Sequence, residues 1–202
     1  MKNLKLAVLA FFMLASISSV KAQDEDNKWA LSFGVNMVDF NKGGLNDIGG
    51  MIKDYLGTSD WNVLPAISTV SVTRYTNYGI SVKAFGSLNK IDKRHDGKDV
   101  GGLSFFNIGA AAVYDLNSLF GETGWWDPYV SLGLSSTWVD GNADGSVSSG
   151  AGFNTWFNDN VGMSFSTSYN MGFSGEPFTP ELDAGSYFQH AVGLIIRFNG
   201  DE

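Results

Sequence analysis

The chain has 202 residues, enough for one domain or at most two small ones. Its 21 acidic residues outnumber its 13 lysines and arginines, which disfavours nucleic acid as a partner. The absence of cysteine excludes a disulfide scaffold and zinc–thiolate sites. Charged residues make up 17% of the chain, against roughly 25% in ordinary soluble domains, whereas aromatic residues reach 14% and glycine occurs 25 times. This composition is more typical of a β-rich membrane protein than of a soluble enzyme.

The N-terminal segment, residues 1–22, has the features of a secretory signal peptide. Two lysines form a basic start, an apolar run covers residues 6–17, and small residues precede a cleavage point between Ala22 and Gln23. The alternative, a transmembrane anchor, needs ~20 apolar residues, more than this run provides. We therefore predict a cleaved signal peptide and one exported domain at 23–202, and the loss of three lysines shifts the net charge from −8 to −11.

The first strand is predicted where WALSFGVNMVD, residues 29–39, alternates large apolar residues with small uncharged ones. A period of two indicates a strand with two unlike faces. The segment 63–75 carries a weaker apolar stripe, and Pro65 indicates that its first residues are unpaired or begin the strand. Eight strands are predicted in all, at 29–39, 63–75, 80–88, 106–114, 126–138, 150–157, 161–173 and 188–198.

The predicted connections differ between the two ends of these strands. Apolar residues at helical spacing predict a short amphipathic helix within the connection 40–61. One end of the strands carries the tight turns 75–79 and 158–160 and a longer connection, 115–126, with one helical turn. The other end carries longer loops, at 40–61, 91–102, 140–146 and 174–186.

The face opposite the bulky residues decides how the strands are arranged. A soluble sandwich would place charged residues and threonine on its water-facing side, whereas here that face carries Gly, Ala, Ser and Asn. Eight strands closed into a barrel leave a lumen barely wide enough for side chains, so small residues point inward. Large apolar residues then face lipid, and charged residues of that face, Arg74 and Lys90, lie only at strand ends. The predicted fold is all-β, an eight-stranded antiparallel up-and-down transmembrane β-barrel.

Aromatic residues gather near the predicted strand ends, where Trp and Tyr favour the two interfaces of a membrane. The alternative is that these residues belong to a hydrophobic core. Tyr129 is assigned to one interface and Phe173 to the other. The tryptophans of the predicted girdles are Trp29, Trp125 and Trp126 at the first interface and Trp61 and Trp138 at the second.

Three segments, WALSFGVNMVDF, WFNDNVGMSFSTSYN and the last strand FQHAVGLIIRF, resemble the N-terminal eight-stranded barrel of OmpA-like bacterial outer-membrane proteins. The resemblance implies a bacterial outer-membrane location and recognition by the barrel assembly machinery, which in that family reads a last strand ending in an aromatic residue. Leu194, Ile196 and Phe198 match this assembly signal. Many OmpA-like proteins continue into a peptidoglycan-binding domain. Because this chain stops at Glu202, that activity is not expected, and the chain is a barrel-only relative or a truncated product.

Polar residues with inward parity are the candidate residues of the lumen. They could line a narrow path for water or ions, or form a hydrogen-bonded interior that only stabilises the barrel. We favour the second interpretation because eight-stranded barrels usually have filled interiors. The lumen-facing polar residues are predicted to be Asn36, Lys83, Asn107, Asn154, Asn170 and Gln189.

Three further features are weak candidates for chemistry. DGNADG at 140–145 matches the first half of a calcium loop, but Ala151 stands where glutamate is required, so a plain turn is expected. His190 could serve a lipid A-modifying enzyme at the outer rim, although its parity points to lipid and no orienting acid is evident. The basic cluster within 90–98 could bind lipopolysaccharide phosphates, but interleaved aspartates favour a solvated loop. We predict no catalytic residue, no metal and no cofactor.

The sequence thus predicts a non-enzymatic outer-membrane barrel with a role in envelope integrity or surface interaction, with a minor narrow pore as a further option. The expected partners are outer-membrane lipids, lipopolysaccharide and the assembly machinery, but not nucleic acid, and a monomer is expected. Two alternatives come from other classes: the rim-located lipid A-modifying enzyme, and a soluble periplasmic lipocalin-like binding barrel whose apolar face turns inward.

Overall fold

A computed structural model describes residues 27–41, 60–121 and 125–199 of the chain. Within these ranges, no helix is long and apolar enough to cross a membrane. The one helix found there, α1, spans Asn117–Phe120 and supplies the helical turn predicted in the connection 115–126. The strands are β1 (Trp29–Asn41), β2 (Asn62–Val63), β3 (Thr69–Asn77), β4 (Ile80–Lys93), β5 (Asp99–Asp115), β6 (Trp126–Val139), β7 (Asn142–Trp156), β8 (Val161–Gly172) and β9 (Ser186–Phe198).

The sheet closes on itself because its first and last long strands pair. Each strand from β3 to β9 is antiparallel to the next, and β1 pairs with β9 from Trp29–Phe198 to Asn41–Ser186. The short β2 and the longer β3 pair with the same edge of β1, so together they form one stave of the wall. The described residues therefore form a closed eight-stave barrel, which confirms the predicted fold class.

The stave built from β2 and β3 is interrupted at residues 64–68, a segment that contains Pro65. Proline has no amide hydrogen to donate to a sheet, so its place in the gap follows from its chemistry. Asn36 bridges the gap, because its backbone N–H donates to Ser68 Oγ at 2.9 Å and its side-chain amide donates to the Ser68 carbonyl at 3.2 Å. One buried asparagine thus satisfies backbone groups that the interrupted ladder leaves behind.

Large apolar side chains point away from the barrel axis along every stave. The most exposed of these in the middle of the wall are Leu132 at 63%, Leu134 at 60% and Leu88 at 53%. Their sequence neighbours Ser131 and Gly133 are partly buried and face the interior. We call the outward set the apolar belt, and it shows that the two faces are inverted relative to those of a soluble β-protein.

Two of the predicted loops are wrong in length because the strands run further than the apolar pattern. β4 and β5 reach Lys93 and Asp99, so the loop predicted at 91–102 is only residues 94–98. The loop predicted at 140–146 is a two-residue hairpin turn, with φ of 48° at Asp140 and 83° at Gly141. Beyond the apolar belt, the outward face no longer needs apolar residues, so these strand ends lack the alternation used to detect them.

Some predictions fall on parts of the chain outside the described residues. The signal peptide at 1–22 with its cleavage point lies there, and so do residues 42–59, which contain most of the predicted amphipathic helix.

The apolar belt predicts that two adjacent positions in the middle of β6 tolerate substitution to different degrees. Leu132→Arg would put a cation on the outward face, where it costs about 2–4 kcal/mol if that face meets the centre of a bilayer. Ser131→Thr adds one methyl group inside the barrel and is expected to be mild. The measurement is the yield and urea resistance of barrels folded into lipid vesicles, with Leu132→Phe as the apolar control. Equal yields for Leu132→Arg and Ser131→Thr would contradict the assignment of faces.

Candidate functional site in the barrel lumen

The inward faces of the staves surround a lumen that contains the side chains of the candidate polar residues. Asn36, Asn107 and Asn170 are at most 1% exposed, and Gln189 is 9% exposed. Lys83 and Asn154 are partly buried and border internal cavities. The lumen has three layers: a plug at the end carrying the hairpin turn 140–141, polar chambers in the middle, and a seal at the end carrying the chain termini.

The plug is apolar, which differs from the expectation that inward residues are small throughout. Phe40, Phe105, Phe178 and Tyr187 pack with ring centroids 5.4–6.4 Å apart. These distances and the largely edge-on geometry are those of favourable aromatic pairs. The remaining buried members of this outer plug are Val38, Ile91, Val139, Leu182 and Ala184.

The connection between β8 and β9 completes the outer plug by folding into the barrel mouth. Its residues Phe178, Leu182 and Ala184 are 7%, 0% and 2% exposed. The loop holds this shape through backbone hydrogen bonds from Phe178 to Ala184 at 3.1 Å and from Asp183 to Thr179 at 3.2 Å. Large inward residues fit here because the loop covers the mouth and gives them a second apolar surface to pack against.

Beneath the outer plug lies a layer of buried polar groups that hydrogen-bond to one another, although Asn107 Oδ1 is buried without a partner. Asn107 donates through its amide to Thr137 Oγ1 at 2.8 Å and to the Tyr187 hydroxyl at 3.1 Å. Asn89, on β4 next to the β5 that carries Asn107, donates to Asn36 Oδ1 at 2.6 Å. Such buried hydrogen bonds favour one packing arrangement, because losing one partner leaves a further buried polar group without its bond.

Two cavities of about 50 and 70 Å³ occupy the middle of the lumen. Each has room for a few water molecules. We call them the lower chamber, toward the termini, and the upper chamber, toward the outer plug. Lys83 lines both of them, as do Ser32, Ser71 and Ser164.

The seal at the terminal end was not identified from the sequence. Trp156 is fully buried, and its indole N–H donates to the carboxylate of Asp127. The Arg197 guanidinium, 1% exposed, lies over the Trp156 ring at 4.2 Å from its centroid. This stacking is a cation–π interaction in a desolvated place. The sequence did hold a signal, since Trp156 has the same parity as Asn154 and therefore points inward.

The layers leave no continuous aqueous path through the described part of the lumen. The outer plug closes one mouth with apolar side chains, and Trp156 with Arg197 and Ile195 fills the other. The geometry therefore corresponds to a filled interior rather than to an open pore.

The predicted girdle tryptophans lie at the two ends of the barrel. Most of their rings contact a nearby aromatic ring or a cation. Arg74 lies 5.2 Å from the Trp29 ring centroid, the Trp125 and Trp126 rings are 6.4 Å apart, and Trp138 packs 5.3 Å from Phe106. Tyr129 does not belong to the girdle. It points inward at 8% exposure and borders both chambers, because Ser131 and Gly133 beside it leave room in the lumen.

His190 lies on the outward face of β9 and is covered by the ring of Trp61. The two rings stack with centroids 4.7 Å apart, and Phe188 lies 6.3 Å away on the same face. Its register partners are Met37 on β1 and Thr167 on β8. None of these four neighbours is an acid that could orient an imidazole for catalysis.

The exposed hairpin 94–98 carries two residues of the predicted basic cluster, Arg94 and Lys98, and their charges are paired locally. Arg94 donates to both oxygens of Asp96 at 2.7 Å, and Lys98 lies 3.2 Å from the same carboxylate. The Arg94 guanidinium holds the pKa of the Asp96 carboxyl well below its usual range. These pairs are solvent-exposed, so they shape the hairpin more than they stabilise the barrel.

Comparisons with known proteins agree on the fold and go no further. No protein-family model and no curated protein sequence matches the chain. Among solved structures, Neisserial surface protein A matches with a TM-score of 0.54 and 15% identity over 86% of this chain and 98% of that one. The outer-membrane protein OprG of Pseudomonas aeruginosa gives 0.53 and 12% over 90% and 98%. The outer-membrane protein AlkL in lipid bilayers gives 0.52 and 13% over 90% and 94%.

At these identities the comparisons show a shared fold, the eight-stranded barrel of outer-membrane proteins. The fold expected from the resemblance to OmpA-like proteins is thereby confirmed.

The seal predicts that removing one hydrogen-bond donor lowers the stability of the barrel. Trp156→Phe keeps an aromatic ring beneath Arg197 but removes the indole N–H that donates to Asp127. We expect the free energy of unfolding to fall by about 2 kcal/mol, as for other buried bonds to a charged group. Urea unfolding in detergent micelles measures this. Trp126→Phe on the outward face is the control and should change it by less than about 0.5 kcal/mol; equal effects would contradict the role of the donor.

Proposed function

We propose that this chain, which has the fold of outer-membrane barrels, is an integral bacterial outer-membrane protein with a structural and surface-interaction role. The apolar belt carries the proposal, because a continuous outward band of large apolar side chains, with Leu132 and Leu134 more than half exposed, is typical of a barrel surface that faces lipid. The shared fold with outer-membrane proteins supports the same location. Export would use the signal peptide proposed at 1–22.

The proposed orientation follows from the two ends of the barrel. Both chain termini and the turns 78–79 and 157–160 would lie in the periplasm, and the hairpins 94–98 and 140–141 and the 173–185 loop would lie outside. Insertion would depend on recognition of Leu194, Ile196 and Phe198 on the outward face of β9 by the assembly machinery. The partners in place would be outer-membrane lipids and lipopolysaccharide around a single barrel.

The filled lumen favours a structural role over a channel. Apolar side chains close the outer mouth, and the Asp127–Trp156–Arg197 seal closes the periplasmic one. Contacts with other molecules would therefore be made by the outer hairpins and the loop that covers the plug. No observation at His190 favours a lipid-modifying enzyme, since Trp61 stacks on its ring.

The location is tested by membrane extraction. We expect the protein to stay with the membrane fraction in sodium carbonate and to need detergent for release, because the apolar belt is in contact with acyl chains. A cytosolic enzyme and a peripheral membrane protein serve as controls in the same preparation. Release by carbonate or salt alone would overturn the proposal and favour a soluble binding barrel.

The closed lumen predicts the outcome of recordings in planar lipid bilayers. The wild-type protein should show no steady conductance. Neither the outer-plug variant Phe178→Ser/Leu182→Ser nor the seal variant Trp156→Ala should conduct alone, because each keeps one closure. The combined variant should open a path, provided that heat-modifiable mobility on gels shows it to be folded. Steady wild-type conductance would instead support a pore.

A further inference from the structure

Lys83 occupies an unusual place at the boundary between the two chambers. The described residues place no carboxylate within ion-pair distance of its ammonium group and give it no direct hydrogen bond. A cation inside a barrel wall is costly unless a charge or a polar partner compensates it. The two chambers give this cation different surroundings.

The chambers differ in charge. The lower chamber is also lined by Asp115 and Asp127, whose two negative charges exceed the single positive charge of Lys83. The upper chamber has no carboxylate among its lining residues, and Lys83 is its one charged group. An anion is therefore repelled from the lower chamber and attracted to the upper one.

The polar lining of the upper chamber can serve an anion. Hydroxyl groups of Ser131, Ser148 and Ser166 border the space, together with the amide of Gln189. Hydroxyl hydrogens rotate, so these groups can donate toward a negative charge while keeping their other bonds. Gln189 is already held by a 2.8 Å hydrogen bond to Ser87 Oγ, which fixes its side chain. A volume of about 70 Å³ suits a monatomic ion with its remaining waters.

We propose that the upper chamber is a binding site for one small inorganic anion of the halide class. The ammonium group of Lys83 supplies the charge, and the surrounding serine hydroxyls replace water around the ion. Because side chains fill both ends of the described lumen, the ion enters as the barrel folds and acts as part of its core. The site is a property of the lumen and holds whatever the outer hairpins bind.

The test folds the protein from urea at constant ionic strength in chloride or in gluconate, an anion too large for the chamber. Folding in each salt removes the problem of access to a closed site. We expect the unfolding equilibrium constant of the wild type to fall by up to about tenfold for each tenfold rise in chloride, the limit for one bound ion. In Lys83→Met this chloride dependence should be lost. In Lys98→Met, which removes an exposed lysine from the hairpin 94–98, it should be unchanged.

A second measurement needs no variant. Crystals grown in bromide should show an anomalous scattering peak in the upper chamber beside Lys83. Equal stability of the wild type in chloride and gluconate would overturn the proposal, as would unchanged chloride dependence in Lys83→Met or the absence of the bromide peak. If Asp127 compensates the lysine through water instead, the wild type will show neither the chloride dependence nor the peak.

Discussion

Closure of the sheet by the pairing of β1 with β9 is the constraint on which the rest of this structure depends. A strand edge in lipid would leave backbone N–H and C=O groups without partners, and each costs several kcal/mol there. Closure with only eight staves makes the lumen narrow, so some inward positions admit no side chain. At Gly34, a methyl group would lie 2.1 Å from the carbonyl oxygen of Val192. The small inward residues follow from this crowding.

The same closure forces the lumen to satisfy its own polar groups. In its middle, Asn107 bonds to its register partner Thr137 on the neighbouring stave and, across the lumen, to Tyr187 on β9. The larger cluster of inward apolar residues lies at the mouth, where the 173–185 loop packs over it. At the terminal end, Trp156 with Asp127 and Arg197 closes the barrel by polar and cation–π contacts. The two ends are thus sealed by different chemistry, one by apolar burial and the other by charge.

Part of this arrangement was readable from the sequence, and part of it was not. The alternation in WALSFGVNMVD and its counterparts predicted eight staves and the inverted faces. It failed near residues 91–102 and 140–146, where the strands leave the apolar belt and the outward face becomes polar. Tyr129 was misassigned because it was placed by its position near a strand end, although its parity with Ser131 and Gly133 points it inward.

The sequence by itself determined the number of staves and the face that meets lipid. Both follow from a rule that acts on each strand separately, namely that an outward side chain must be apolar. The tertiary structure decided which inward residues meet. Trp156 meets Asp127 through the register of the β6–β7 pair, whereas Asn107 and Tyr187, 80 positions apart, meet because the whole barrel closes. The isolation of Lys83 between two chambers has the same origin, because no pattern along one strand records what faces it across the axis.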